Sequence, residues 1–142
     1  MHKPDLAGKR ILVVEDEFVL AADICAKIEA CRGVVVGPVS TLAGGHALLQ
    51  TGPQPEGSIL DIRVGDDMVS PVADDLMAVG VPIIFTSSES KAAIPSKYAT
   101  IPLIGKPIIP LQFFRTDRAW SDLQERDAAV RYRQTGQHGA CG

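Results

Sequence analysis

The stretch Ile11-Leu12-Val13-Val14-Glu15-Asp16-Glu17 decides the fold, because an apolar run ends abruptly in three consecutive carboxylates. With Arg10, the run predicts a β-strand over 10–14, and its continuous apolar character is typical of a parallel strand buried on both faces. The apolar period then becomes helical, and one stripe carries Leu20, Ile24, Ile28 and Cys31 before Gly33 ends the pattern. A buried strand that leads directly into a helix is the usual opening of an alternating α/β fold.

The same alternation of strand and helix continues to about residue 104. Further strands are predicted over 34–36, 58–62, 83–87 and 101–104. Ser40 or Thr41 can cap a helix after the second strand, and a helix from Pro71 to Val79 follows a predicted loop over 65–67. The stretch 90–99 has no clear pattern. Five strands joined by short links and helices require a parallel sheet with helices on both faces, so we expect a doubly wound α/β sandwich of three layers.

The composition is that of one ordinary globular domain of 142 residues, with 46% hydrophobic and 22% charged residues. These fractions exclude general disorder, and a net charge of −3 is not the basic footprint of a nucleic-acid-binding domain. The three cysteines lack the spacing of a zinc site or a disulfide framework. Because no apolar run reaches the ~18–20 residues of a membrane span and residues 1–10 lack a signal-peptide core, we expect a cytoplasmic protein without membrane or nucleic-acid partners.

The chain divides by texture into a core and a carboxyl-terminal part. We expect a domain core over 9–110, a helix over 111–132 and a flexible tail over 133–142. The predicted helix has a stripe of Phe113, Trp120, Leu123 and Val130, whereas the tail is rich in glycine and glutamine. The 32 residues after residue 110 are too few for a second packed domain.

Polar residues follow the predicted strands at their carboxyl ends, where open parallel α/β sheets form their binding sites. They are Glu15 and Asp16 after the first strand, Asp61 at the end of the third, Thr86 and Ser87 at the end of the fourth, and Lys106 after the fifth. Segments far apart in the sequence thus deliver three carboxylates, a hydroxyl and an ammonium group to one edge of the sheet. This convergence is the main functional signal in the sequence.

Three carboxylates at one edge repel each other strongly. At ~4 Å and an effective dielectric constant of ~20, each like-charged pair costs on the order of 4 kcal/mol before screening. The cluster therefore has to be partly protonated or paired with a cation. A site with only oxygen ligands, few of them from the protein, leaves coordination positions of the metal open and favours Mg²⁺ over Ca²⁺. A metal ion, an amine and a hydroxyl around one carboxylate supply the charge neutralisation and positioning that phosphoryl transfer requires.

Four stretches together make the chain resemble the receiver domains of bacterial two-component response regulators. They are Ile-Leu-Val-Val-Glu-Asp-Glu (11–17), Ile-Leu-Asp-Ile-Arg (59–63), Pro-Ile-Ile-Phe-Thr-Ser-Ser-Glu (82–89) and Gly-Lys-Pro (105–107). The resemblance spans about residues 9–110, with the motifs in the family's order. It implies the flavodoxin-like, CheY-like fold of a stand-alone receiver in a phosphorelay, with a sensor histidine kinase or a phosphotransfer protein as the partner that supplies the phosphoryl group.

The resemblance also implies roles for the residues at the strand ends. Asp61 is similar to the phosphoacceptor, which attacks the phosphohistidine of the kinase and forms an acyl phosphate. Mg²⁺ would be held by the carboxylates of Glu15, Asp16 and Asp61 and by the backbone carbonyl of Arg63. Lys106 would pair with the transferred phosphoryl group.

One hydroxyl of the fourth strand is expected to bind a phosphoryl oxygen. We assign it to Ser87, with Thr86 as the alternative, because neighbouring residues of a strand point to opposite faces. The Lys106–Pro107 peptide bond is expected to be cis, as is usual in the family. The chain departs from the family at Leu103, where the family usually has an aromatic residue that moves with this hydroxyl.

The expected output is contact with an unidentified downstream protein, through the first helix and the loop after the fifth strand, without enzymatic turnover. One alternative is a receiver-like interaction module that works without phosphorylation, which Leu103 and the short segment before the fifth strand favour. A less favoured alternative is a small Mg²⁺-dependent phosphatase with an aspartyl nucleophile. Such enzymes carry a second aspartate that is missing from Ile59 to Arg63.

Overall fold

The three-dimensional structure is a computed structural model of the chain, and it describes residues 5–89, 93–106 and 108. The strands in these residues are β1 (Arg10–Val14), β2 (Val34–Val39), β3 (Gly57–Asp61), β4 (Arg63–Val64), β5 (Asp67–Met68), β6 (Ile83–Ser87) and β7 (Leu103–Gly105). The helices are α1 (Phe18–Ala30), α2 (Leu42–Thr51) and α3 (Ser70–Ala78), and a 3₁₀ helix spans Ser96–Tyr98.

Five of the strands form one parallel sheet in the order β2-β1-β3-β6-β7. The chain places β2 on one side of β1 and all later strands of this sheet on the other, so the strand order reverses between β1 and β3. This order confirms the doubly wound α/β fold. In such a fold, ligands bind beyond the carboxyl ends of the strands, next to the reversal.

The core consists of two apolar layers, one on each side of the sheet. Successive side chains of a strand point to opposite faces, so successive residues of β1 belong to different layers. The layer beneath α1 includes Ile11, Val13, Ile24, Ile28, Ile59, Ile84 and Ile104. The layer beneath α2 and α3 includes Leu12, Val14, Leu60, Val72, Leu76, Phe85 and Tyr98. Burial on both faces is the reason for the uninterrupted apolar run of β1.

The second strand is longer than predicted, since it continues past residue 36 to Val39. It passes through Gly37 and Pro38, which are joined by a cis peptide bond. Proline is tolerated there because β2 lies at the edge of the sheet, where part of the backbone has no ladder partner. The Glu15 N–H donates a hydrogen bond to Val39 O at 3.0 Å, so the longer strand supports the first of the acidic residues.

The run 65–67, predicted to be a loop, belongs to a short β-hairpin. Strands β4 and β5 pair antiparallel, with Arg63 opposite Met68 and Val64 opposite Asp67. Gly65, at the turn, has a φ of +63°, which glycine adopts without strain. The predicted loop is confirmed at Gly65 and Asp66, which form the turn, whereas Asp67 belongs to a strand. The two strands were not predicted, because two residues per strand are too few to display a period of two.

The segment between β6 and β7 carries the 3₁₀ helix Ser96–Tyr98, and no α-helix occurs in its described residues 93–102. Strand β7 covers 103–105, whereas the prediction was 101–104. Pro102 explains the later start, because it has no N–H to donate to the ladder. Its carbonyl oxygen still accepts a hydrogen bond from Phe85 N–H at 2.9 Å.

Some expectations lie outside the described residues. They are the helix over 111–132, the tail over 133–142 and the cis bond between Lys106 and Pro107. The longest described helix, α1, has 13 residues, and none of the described helices has the length and hydropathy needed to cross a membrane.

Candidate functional site

The carboxyl ends of β1, β3, β6 and β7 surround a polar pocket of about 210 Å³ at one edge of the sheet. These ends are level because Asp61 pairs with Thr86, and Ser87 with Gly105, in the strand register. The polar pocket is lined by Asp16, Glu17, Asp61, Ile62, Arg63, Gly65, Ser87, Ser88, Glu89 and Lys106. Most of the predicted site residues are therefore brought together, and Glu15 lies buried beside them.

The Lys106 amine links two carboxylates of the site. Its Nζ lies 2.9 Å from Asp61 Oδ2 and 3.1 Å from Glu15 Oε1, and the side chain is only 12% exposed. Burial opposes the charge of this amine, but the hydrogen bonds and the attraction from Asp61 and Glu15 outweigh it and raise the pKa of Lys106. Lys106 is thus a fixed positive charge next to the oxygen of Asp61.

Glu15 is the most deeply placed acid of the site, with a side chain that has no exposed surface. Its Oε1 accepts hydrogen bonds from Lys106 and, at 3.3 Å, from the Glu17 N–H. Its Oε2 is buried and has no hydrogen-bond partner among the described residues. Burial, followed by the neighbouring Asp61, raises the pKa of Glu15 to about 7, and Lys106 only partly opposes this. Lys106 thus pairs with Oε1 of the Glu15 carboxylate, and Oε2 can still take up a proton or bind a further cation.

The site has the donor set for a hard divalent cation. One carboxylate oxygen from each of Glu15, Asp16 and Asp61 lies within 4.8 Å of the others. Asp16 is held by the hairpin, because its Oδ2 accepts a hydrogen bond from the Gly65 N–H at 2.8 Å. The unpartnered Glu15 Oε2 supplies a free ligand atom, and the acids repel each other without a cation. These residues fit Mg²⁺.

The backbone of Arg63 lies next to Asp61, and its N–H donates to Asp61 Oδ1 at 3.2 Å. This contact orients the Asp61 carboxylate from the side opposite to Lys106, which bonds the other oxygen. Both oxygens of Asp61 thus accept a hydrogen bond from the protein, and the residue is only 5% exposed.

The two hydroxyl candidates on β6 have different surroundings. Ser87 lines the polar pocket together with Asp61 and Lys106, whereas Thr86 is fully buried and is not part of the lining. Thr86 Oγ1 has no hydrogen-bond partner among the described residues. Ser87 Oγ accepts a hydrogen bond from the Glu89 N–H at 2.9 Å and lies 3.4 Å from the Glu89 carbonyl oxygen. Of the two residues, Ser87 is thus the one that lines the polar pocket with Asp61.

An ion pair that the sequence reasoning missed connects two loops of the polar pocket. Arg63 Nε donates to Glu89 Oε1, which joins the hairpin after β3 to the loop after β6. Arg63 was singled out only for its carbonyl group, and Glu89 only as the end of a motif. Opposite charges just after two strands that turn out to be neighbours were the available signal, because such positions lie side by side in a parallel sheet.

Leu103, which replaces the family's aromatic residue, lines a second, apolar pocket of about 180 Å³. The apolar pocket is formed by Phe85, Ile94, Pro95, Tyr98, Ala99, Ile101 and Leu103. Its aromatic rings come from β6 and the 3₁₀ helix: Tyr98 packs edge-on against Phe85 with the ring centres 5.1 Å apart. Tyr98 is 1% exposed, and its hydroxyl donates to Asp74 Oδ1 at 2.8 Å.

Comparison with known proteins places this geometry in a family. Neither a protein-family model nor a curated protein matches the sequence. The fold is similar to the non-phosphorylated HemR receiver domain from Leptospira biflexa, with a TM-score of 0.65, 21% identity, and coverage of 80% of this chain and 94% of that chain. At 21% identity, this similarity is evidence for the fold alone.

A stronger similarity is found to SdrG. Its solution structure from Sphingomonas melonis Fr1 matches with a TM-score of 0.69 and 29% identity, over 82% of this chain and 97% of that chain. The BeF₃-activated conformation of SdrG from Pseudomonas melonis Fr1 matches with a TM-score of 0.67 and 30% identity, over 80% and 96% of the two chains. The chain belongs to the receiver domains of response regulators. In this receiver domain, the acidic cluster of Glu15, Asp16 and Asp61 fits a Mg²⁺ site.

Proposed function

We propose that this receiver domain accepts a phosphoryl group on Asp61 from a sensor histidine kinase or a phosphotransfer protein and signals by protein–protein contact, without turnover as an enzyme. The observation that carries the proposal is the position of Lys106 Nζ, 2.9 Å from Asp61 Oδ2 and 3.1 Å from Glu15 Oε1. An amine in this place neutralises the charge that a phosphoryl group brings to Asp61.

The transfer step uses Asp61 as a nucleophile. A carboxylate oxygen forms a bond to phosphorus while the bond between phosphorus and the histidine nitrogen breaks, and the nitrogen leaves with the electron pair. Asp61 is oriented for this step by the Arg63 N–H and by Lys106, which bind different oxygens. The Ser87 hydroxyl, in the same pocket, would donate to an oxygen of the bound phosphoryl group.

Four groups would hold Mg²⁺: the carboxylates of Glu15, Asp16 and Asp61 and the backbone carbonyl of Arg63. When bound, the ion neutralises phosphoryl oxygens and orients them for in-line transfer. The chain itself keeps these ligands in place, since the hairpin amide of Gly65 holds Asp16 and the Lys106 amine holds Glu15.

Exposed apolar side chains next to the polar pocket support a protein partner. Phe18 and Val19 open α1 directly after the acidic residues and are 86% and 80% exposed. A large exposed apolar group beside a charged site is typical of a contact surface for another protein. We therefore place the docking face of the kinase or phosphotransfer protein at the start of α1.

The experiment is incubation with acetyl phosphate and Mg²⁺ followed by intact-mass measurement. We expect one added phosphoryl group, no addition with a chelator, and none in Asp61→Asn. Labelling that survives Asp61→Asn would reject the assignment.

Two matched variants on β6 then separate the hydroxyls. Ser87→Ala should slow uptake roughly tenfold or more, since it removes a charge-assisted hydrogen bond. Thr86→Val should leave the rate of uptake unchanged, because the Thr86 hydroxyl lies outside the polar pocket. The opposite result would move the role to Thr86.

A second candidate, a receiver that binds its partner without phosphorylation, is favoured by Leu103 in place of the aromatic residue. Leu103 and Tyr98 both line the apolar pocket, and the segment before Leu103 contains a 3₁₀ helix. Amide spectra recorded with and without BeF₃⁻ and Mg²⁺ distinguish the two functions. Shifts that extend from Ser87 to the 3₁₀ helix support the phosphorylation-dependent function, and unchanged spectra support the second candidate.

A further inference from the structure

We infer that the Arg63 guanidinium is a second cation for the phosphoryl group, in addition to Lys106. Before phosphorylation it forms an ion pair with Glu89, and after phosphorylation it leaves Glu89 and binds the phosphoryl oxygens. This inference rests on the proposed function, because it assumes that Asp61 takes the phosphoryl group. It concerns the side chain of Arg63, in addition to the backbone carbonyl that would contact Mg²⁺.

The position of the ion pair supports the inference. Arg63 and Glu89 both line the polar pocket that contains Asp61, and their side chains are 44% and 32% exposed, whereas Asp61 is mostly buried. The ion pair is therefore more exposed to solvent than the carboxylate with which it shares the pocket. A phosphoryl group that extends from Asp61 toward solvent approaches both charges.

Glu89 also engages the hydroxyl that the phosphoryl group needs. Its N–H donates to Ser87 Oγ at 2.9 Å, while its side chain accepts from Arg63. One residue thus holds two groups of the site, a cation and a hydroxyl, in contacts within the unphosphorylated protein. Because the contacts to Ser87 are made by the Glu89 backbone and the contact to Arg63 by the Glu89 carboxylate, movement of the carboxylate frees the guanidinium while Ser87 keeps its place.

Charge decides the direction of the exchange. Phosphorylation brings about −1.5 to −2 charges and three acceptor oxygens to Asp61, compared with the single charge of Glu89. A guanidinium binds phosphate oxygens through two parallel hydrogen bonds, so Arg63 gains by changing partner. The same phosphoryl charge repels the Glu89 carboxylate. Lys106 is the first cation, and because it also pairs with Glu15 it neutralises only part of the charge that the phosphoryl group adds.

The test is a titration of the full chain with BeF₃⁻ at fixed Mg²⁺, read from amide spectra. Arg63→Gln should weaken binding roughly tenfold or more, the size expected for a lost charge-assisted hydrogen bond. Glu89→Gln should tighten binding roughly two- to fivefold, because the competing exposed ion pair is gone. When Glu89→Gln is added to Arg63→Gln, it should change the BeF₃⁻ affinity much less than it does in the wild type, because no arginine remains to be released.

Further variants separate an exchange of partners from a structural role. Arg63→Lys should recover part of the affinity lost in Arg63→Gln. Arg32→Gln, which removes the exposed Asp5–Arg32 ion pair away from the pocket, is the matched control and should not change the affinity. If Glu89→Gln weakens binding as Arg63→Gln does, the pair is a structural clamp and the inference is overturned. An unchanged affinity in Arg63→Gln also overturns it, while wild-type binding leaves the proposed function intact. A wild type that binds no BeF₃⁻ overturns both.

Discussion

The polar pocket and the apolar pocket share two strands, β6 and β7, yet their chemistry is opposite. On β6, Ser87 lines the polar pocket, and Phe85, two residues earlier on the same face, lines the apolar pocket. On the neighbouring strand, Leu103 belongs to the apolar pocket, and Lys106 follows the strand into the polar pocket. Two or three residues along a strand therefore separate apolar side chains that stabilise the fold from polar side chains that line the candidate binding site.

The energetic difference between the pockets follows from their charges. The polar pocket and its surroundings bring five carboxylates together with two cations: Glu15, Asp16, Glu17, Asp61 and Glu89 with Arg63 and Lys106. The apolar pocket buries a tyrosine ring against a phenylalanine ring. Truncation in the apolar pocket should thus lower stability, and removal of a buried negative charge from the polar pocket should raise it.

The largest effect is expected for Tyr98→Ala in the apolar pocket. The Tyr98 side chain is fully buried and makes both a ring contact and a hydrogen bond. We expect the free energy of unfolding to fall by roughly 3–5 kcal/mol, as for other large aromatic truncations in cores. Urea denaturation followed by circular dichroism measures this change.

Tyr98→Phe is the matched control, because it keeps the ring contact with Phe85 and removes only the hydroxyl. The loss should be about 1 kcal/mol, the net contribution of one hydrogen bond. Equal losses in the two variants would mean that the ring adds nothing to stability, which would contradict the comparison of the pockets.

An effect of opposite sign is expected for Glu15→Gln in the polar pocket. In the folded protein the pKa of Glu15 is raised from 4.5 to about 7 by burial and by Asp61. At pH 8 the ionised carboxylate then destabilises the metal-free fold by about 3 kcal/mol, which the neutral amide avoids. The thermal midpoint of metal-free Glu15→Gln should therefore exceed that of the wild type at pH 8.

The pH dependence of the wild type gives the sign check. Because the folded pKa of Glu15 is raised, its stabilising contribution is fully present below about pH 4.5 and is lost as the pH rises through about 7. The advantage of Glu15→Gln should accordingly disappear at low pH. Mg²⁺ should raise the midpoint of the wild type at pH 8 more than that of Glu15→Gln. A variant less stable than the wild type at pH 8 without metal would show that Glu15 is not crowded.

The smallest effect is expected for Asp74→Asn, which weakens the polar attachment of the apolar pocket to α3. Asp74 accepts hydrogen bonds from Tyr98 and Lys97, and these contacts lower its pKa. Since Asp74 is half exposed, we expect a loss of only roughly 0.5–1 kcal/mol at pH 7. The stabilising contribution of ionised Asp74 is present above the ordinary pKa range of a carboxyl group and is lost as the pH falls through the lowered pKa. The free energies of unfolding of Asp74→Asn and the wild type should therefore converge in acid.

Much of the polar pocket could be predicted from the sequence, and little of the apolar pocket. Asp61 and Lys106 were placed together because parallel strands end at the same edge, and the structure has them 2.9 Å apart. The hairpin after Asp61 could not be predicted, since its strands have two residues each. Tyr98 carried no signal either, because a single aromatic residue in a short unpatterned stretch does not reveal which surface it packs against.

The sequence by itself determined the alternation of strands and helices and the polar character of the strand ends, because burial imposes a local period that can be recognised in a few consecutive residues. Only the tertiary structure decided which charges meet. Lys106 bonds Glu15, 91 residues away, and Arg63 pairs with Glu89, 26 residues away. The physical reason is that such partners depend on strand register and loop path, and Coulomb attraction between distant segments leaves no period in the sequence.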